Sequence, residues 1–272
     1  MFVRHCETTI GHVNGALRCA VLGFVLGSPP GLAQDSNPTI EVLEAETAEH
    51  RIGTRGPIYT DLFQNMDPAD LARPLTFEVV VGPDGKTLDA KQISGFIFGD
   101  LTLLWKTWQY RSFERNGHPV VAKVRESVAI LPIRKRSEVY IPFPEIHDWN
   151  SLRITLSRSG CYGSCPTYEV EIHGDGSVLY DGKANVATKG RHTGKISHAS
   201  LMELVGAFRK ADYFSLADGY VSGVTDMPTC ASSISFDEQS KSVLDYLGRR
   251  LGMPPLSPTW KRRLTACREP LN

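Results

Sequence analysis

Two cysteines with three residues between them, in the run Cys161-Tyr162-Gly163-Ser164-Cys165-Pro166, are the residues of this chain whose type and spacing could do chemistry. As thiolates they could exchange disulfides or hold a soft metal ion, with His173, His192 or His198 as a third ligand. A redox pair of that kind needs its first cysteine at a helix N-terminus, where the dipole lowers the thiol pKa. Here Pro166 leads instead into Tyr168, Val170 and Ile172, alternating with Thr167, Glu169 and Glu171. That period belongs to a half-buried strand. The context favours a structural disulfide, closed by a turn at Gly163, over redox or metal chemistry.

Tyr162, Gly163 and Pro166 inside this stretch, with Asp226 in the polar loop Asp218 to Pro228, form a candidate functional loop. Asp226 could serve as a catalytic carboxylate or calcium ligand, but an aspartate beside Pro228 more commonly hydrogen-bonds its own backbone in a turn. No Gly-x-Ser-x-Gly, His-Glu-x-x-His, phosphate loop or dinucleotide fingerprint occurs in the sequence. No catalytic residue, metal or cofactor is assigned, and binding is the favoured class of function.

The N-terminus bears on the compartment. Arg4 and Arg18 precede an apolar run from Cys19 to Gly27, then Pro29-Pro30 and Gly31-Leu32-Ala33. The run falls short of the roughly 20 residues of a membrane span, and the small residues at 31 and 33 suit signal-peptide cleavage after Ala33. A periplasmic or secreted chain beginning at Gln34, with no stable membrane span, is expected. Four cysteines would remain, Cys161, Cys165, Cys230 and Cys267, and in an oxidising compartment four cysteines allow three disulfide connectivities. With 30 basic against 30 acidic residues, bulk electrostatics recruits neither nucleic acid nor acidic lipid.

The elements that must position these residues read as two small antiparallel sheet-plus-helix modules of α+β class, following the signal peptide (1–33) and a polar lead-in (34–72). The first module, 73–134, has an alternating strand from Leu75 to Val81 and a reversal at Gly82-Pro83-Asp84-Gly85. A partner strand to Ile93 follows, then a helix from a cap at Asp100 through Gln109, and a return strand from Pro119 to Ile130. Residues 135–149, with Pro142 and Pro144, read as a linker.

The second module, 150–272, opens with Leu152 to Leu156. A hairpin follows around His173-Gly174-Asp175-Gly176, and a loop runs from Gly190 to Gly194. Ser197 caps a helix whose Leu201, Leu204, Val205 and Phe208 share a face. Strands then run from Cys230 to Phe236 and Ser242 to Tyr246, before a terminal helix capped by Ser257. Each module is expected to unfold separately.

Phe77-Glu78-Val79-Val80-Val81, Pro83-Asp84-Gly85, Trp105-Lys106-Thr107-Trp108 and Asn116-Gly117-His118-Pro119-Val120 resemble the C-terminal domain of TonB-type proteins. The resemblance implies a strand-addition surface at the edge from Val120 to Ile130, and the partner would be a protein or another envelope component. From about residue 150 to 255 the chain resembles the domain-of-unknown-function family numbered 6438. The likeness rests on Ile154-Thr155-Leu156, the stretch from Cys161 to Tyr168, Asp175 to Tyr180, Thr225-Asp226-Met227-Pro228-Thr229 and Val243-Leu244-Asp245-Tyr246. Cys230 and Cys267 stand outside that pattern, which implies that they pair with each other. Two further functional readings follow, a periplasmic thiol-disulfide or copper-handling protein using Cys161 and Cys165, and a TonB-like partner-binding adaptor.

Overall fold

The computed structural model describes residues 39–42, 44–62, 73–95, 101–133 and 139–253. The expected signal peptide, the Asp100 cap, the terminal helix and Cys267 lie outside the described residues.

Nine strands hydrogen-bond into one sheet whose spatial order interleaves the two halves of the chain. From one edge it runs β13 (Gly190–Lys195), β12 (Ser177–Ala184), β11 (Thr167–His173), β10 (Arg153–Arg158), β15 (Cys230–Phe236) and β16 (Gln239–Tyr246), all antiparallel to their neighbours. It continues through β14 (Gly219–Val221), β3 (Ile58–Thr60) and β9 (Ile130–Pro132), each pairing parallel with the strand before it. Parallel neighbours cannot be joined by a tight turn, so this half is assembled from distant stretches of sequence. β14 and β3 are buried at all three of their positions, as parallel strands covered on both faces must be.

A smaller sheet is built around β8 (His118–Val128). It pairs antiparallel with β4 (Leu75–Val81) on one side and parallel with β1 (Thr39–Glu41) on the other, while β5 (Thr87–Ser94) hairpins onto β4 and β7 (Phe113–Arg115) onto β8. β2 (Arg51–Ile52) and β6 (Gln109–Tyr110) make a short ribbon. The helices are α1 (Glu44–His50), α2 (Thr102–Trp105) and α3 (His198–Lys210). No described helix is long and apolar enough to cross a membrane.

The expected α+β arrangement of two small modules is therefore corrected to a strand-dominated fold built on large sheets. The cause is the short apolar segment Ile58-Tyr59-Thr60 in the supposed lead-in, which enters the large sheet between β14 and β9. The strand from Val120 to Ile130 is likewise not one free edge: β4 pairs with Ala122 to Val128 on one side, β1 with Val121 to Lys123 on the other, and Ile130 has passed into β9 of the large sheet. Strand addition is thus blocked by β1 at Val121 to Lys123.

Two apolar clusters hold the layers. On one face of the large sheet, Ile154, Leu156, Val170 and Ile172 meet Leu201, Leu204, Val205 and Phe208 of α3. The spacing of those helix residues gives one apolar stripe, and Ser197 Oγ caps the helix by accepting the Ser200 N–H at 3.1 Å. On the opposite face, Val221, Ala231, Leu244 and Tyr246 meet Phe77, Val79, Leu104 and Trp108 from the first half of the chain. The period of two along each strand sends alternate side chains to these two clusters. Beyond β15, toward β13, that second face carries polar residues.

Candidate functional site

β10 and β11 are joined not by a tight turn but by the loop from Ser159 to Pro166, and this loop contains the cysteine pair. Cys161 and Cys165 are disulfide-bonded with their Cα atoms 5.5 Å apart. Gly163 sits between them at φ +134°, a conformation that strains any residue with a Cβ, and no heavy atom lies within 4 Å of where a Cβ would stand. Backbone conformation, not crowding, explains the glycine.

The loop leans on the segment after β14. Ser159 N–H donates to Thr229 O at 2.9 Å, and Thr229 N–H donates back to Ser159 Oγ at 2.9 Å. Tyr162 N–H donates to Asp226 O at 3.2 Å. Asp226 holds φ at +66°, where aspartate is better tolerated than most residues, and its carboxylate accepts the Thr225 hydroxyl at 3.1 Å. From below, the buried Tyr246 hydroxyl accepts the Met227 N–H at 3.2 Å. Asn185 Nδ2 donates to Cys165 O at 3.2 Å and adds a tie to the end of β12.

Two stretches some sixty residues apart in sequence thus form one tip at the end of the sheet. Of the candidate residues, the fold brings Tyr162 and Asp226 into direct contact, with Gly163 supplying the turn. Pro166 follows the disulfide and is half-buried just before β11. Asp226 sits in a turn, its carboxylate bonded to Thr225 on its own loop and its carbonyl to Tyr162 on the other. The tip is also apolar: Tyr162 is 90% exposed, and Met227 and Val224 are exposed beside Asp226. Sequence reasoning left Val224 and Met227 out of the candidate loop, although two apolar residues flanking Thr225-Asp226 in a polar loop were the available signal.

Cys230 opens β15 opposite Arg158 of β10 and Asp245 of β16. Nearby, the Tyr168 hydroxyl is pushed above its ordinary value, first by burial and then by the Cys230 sulfur. The inferred partner of Cys230, Cys267, lies outside the described residues. Among the described residues no group of three or more His, Cys, Asp or Glu side chains comes together as a metal site. The three histidines considered as ligands have other contacts: His173 lies 3.1 Å from Glu171, His192 bonds the Lys189 carbonyl at 2.9 Å, and His198 packs edge-on to Trp149.

Two buried ionic clusters lie away from the tip. Glu126, fully buried, accepts from Arg51 Nε at 3.0 Å and from the Tyr110 hydroxyl at 2.9 Å, with Arg55 at 3.5 Å. Arg55 also lies 4.8 Å over the Trp108 ring. Burial pushes the Tyr110 phenol well above its ordinary value, so it donates to Glu126 at all physiological pH. Asp218 and Lys241, both buried, pair at 2.6 Å. Asp218 and Lys241 match one for one, whereas two guanidinium groups share the single Glu126 carboxylate; both clusters tie separate elements of the fold together.

Residues 152–258 match the family model described as Domain of unknown function (DUF6438). The match contains both halves of the tip and stops short of the 73–134 stretch, whose TonB likeness no comparison supports. No curated protein matches the chain.

Proposed function

We propose that this chain is an exported, non-enzymatic binding protein that engages a protein or other envelope component through the tip formed by the Cys161–Cys165 loop and the Val224 to Met227 segment. The observation that carries the reading is the Tyr162 side chain, 90% exposed on a loop cross-linked at both ends and hydrogen-bonded to Asp226. A tyrosine offers a large rigid contact area with a polar end, and a loop already fixed loses little entropy when a partner docks. Met227 and Val224 would surround it with the adaptable apolar contacts that shield such anchors from water. A disulfide in this position also fits an oxidising compartment outside the cytosol.

A photo-crosslinking residue placed at Tyr162, with the same residue at exposed Lys91 of β5 as control, tests the reading in the producing cell. A discrete adduct at position 162 that is lost in Met227→Ala, and is absent from position 91, is the expected result. Equal adduct patterns at both positions, or none at 162, would remove the tip as a binding surface. Fractionation of the same cells tests export.

A further inference from the structure

The face of the large sheet that α3 does not cover forms, over β10 to β13, the floor of a cleft of about 580 Å³. Its wall is the segment from Lys106 to Gln109 together with Lys86 to Leu88 at the start of β5. The volume lies in the range of small-ligand sites, roughly 300 to 1,000 Å³.

The floor is charged but balanced. Arg153 makes a bidentate pair with Glu171, Nε to Oε1 at 2.6 Å and Nη2 to Oε2 at 2.7 Å. On the next row Lys183 reaches Glu169 Oε1 at 2.5 Å, and Asp181 stands opposite Arg191 in the β12–β13 register. At the wall, Lys86 pairs with Asp84 at 3.1 Å. Hydroxyls fill the space between the charges, with Thr155 and Ser233 bonded to each other at 2.6 Å. In the wall, Trp108 is buried, and its indole N–H has no acceptor among the described residues.

This pattern discriminates among ligands. An anion would have to compete with Glu171 for Arg153, and a cation with Arg153 for Glu171. An apolar ligand would strip water from carboxylates and guanidinium groups that keep unused lone pairs and N–H groups. A hydroxyl group both donates and accepts, so it can bond a carboxylate and the neighbouring guanidinium together without separating them. A ligand carrying several such hydroxyls would span the rows from Arg153 to Asp181, while the exposed side chains of Leu179 on the floor and Leu88 on the wall offer apolar surface to its C–H faces. We infer that this cleft binds a neutral polyhydroxylated ligand, of the chemical class of an oligosaccharide a few pyranose rings long.

The inference goes beyond the proposed use of the tip and concerns a separate surface. It is tested by calorimetric titration of the full chain with maltotriose, cellotriose and chitotriose. At least one should bind saturably, with affinity unchanged between ~50 and ~500 mM NaCl because no net charge is neutralised. Asp181→Asn keeps the shape and removes one charged acceptor, so it should weaken that binding about tenfold. Thr193→Trp, at an exposed rim position of β13, should abolish it by filling the cleft. Tyr162→Ala should leave it unchanged, which separates this site from the tip. The inference is overturned if none of the three sugars binds at ~10 mM, or if both cleft variants bind like the parent chain. It is overturned equally if a sulfated trisaccharide binds more tightly than its neutral counterpart and is released by salt. Melting curves of the two variants, expected to match the parent, show whether a lost signal reports the cleft or misfolding.

Discussion

The Asp218 carboxylate accepts the backbone N–H of Gly56 at 2.6 Å across 162 residues of sequence. The same group pairs through its other oxygen with the buried ammonium of Lys241 at 2.6 Å, so one carboxylate fastens the lead-in to β3 onto the edge of β14 and to β16. Asp218→Ala should destabilise the chain by about 3 to 5 kcal/mol, since it leaves Lys241 buried without a counter-charge. Denaturant midpoints measure this, and the double variant Asp218→Leu with Lys241→Met should recover most of the loss because both charges are removed together. For the same reason the full chain should unfold in a single transition, and residues 150–272 alone, lacking β3 and leaving β14 unpaired on that side, should fail to fold cooperatively.

Glu126 serves the smaller sheet in a similar way. Two guanidinium groups and a phenol converge on one fully buried carboxylate, so removing it strands Arg51 and Arg55 together. Glu126→Ala is expected to cost more stability than Arg51→Ala, which still leaves Arg55 as a counter-charge. A double-mutant cycle on Glu126 and Arg51, read from urea unfolding, should give a coupling of about 1 to 3 kcal/mol. Coupling near zero would mean that water already solvates the cluster.

The disulfide should contribute little to global stability, because a loop of this size restricts the unfolded chain only slightly. Replacing Cys161 and Cys165 with serine is expected to cost about 2 kcal/mol or less. The effect should be local. Amide exchange at Tyr162, which donates to Asp226, should accelerate, while β10 and β11 keep their protection. If exchange instead rises across both strands, the disulfide has a larger part in folding than its loop length allows.

Local pattern made much of the second half legible, and contact order hid the rest. Alternation located β4, β10, β11 and β15 to within a residue or two, and the helix of Leu201, Leu204, Val205 and Phe208 was found because its stripe and its Ser197 cap are both local signals. The helix expected through Gln109 shortens to Thr102–Trp105, because the chain must extend by Gln109 to pair with Arg51-Ile52. The residues from Gly190 to Gly194 read as a loop, yet they form β13, an exposed edge strand that needs no apolar alternation. β3, β9 and β14 were missed as sheet members. Three residues are too few to show a period, and their parallel partners lie far away in sequence. At the tip, the cysteine spacing and Gly163 pointed to the ring, while the meeting of Tyr162 with Asp226 depends on the β14 to β15 connection and had no sequence signal.

Acid should weaken the fold through Asp237. This residue sits in the β15–β16 turn at φ +51°, exposed to solvent, and its carboxylate accepts the backbone N–H groups of His147 and Asp148, each at 3.0 Å. Those two bonds, outweighing the smaller opposing effect of desolvation and aided by the Ser151 hydroxyl, hold its pKa below the ordinary aspartate value. A carboxyl whose folded pKa is depressed stabilises the fold fully above its unfolded pKa, about 3.9, and loses that contribution as pH falls through the lower folded value. Asp237→Asn removes the titration while keeping a residue type that tolerates positive φ. The parent chain should therefore be more stable than the variant at neutral pH, with the gap closing below about pH 4. Unfolding midpoints of both proteins across that range measure it, and a gap independent of pH would show that the amide serves the His147 and Asp148 N–H groups as well as the carboxylate does.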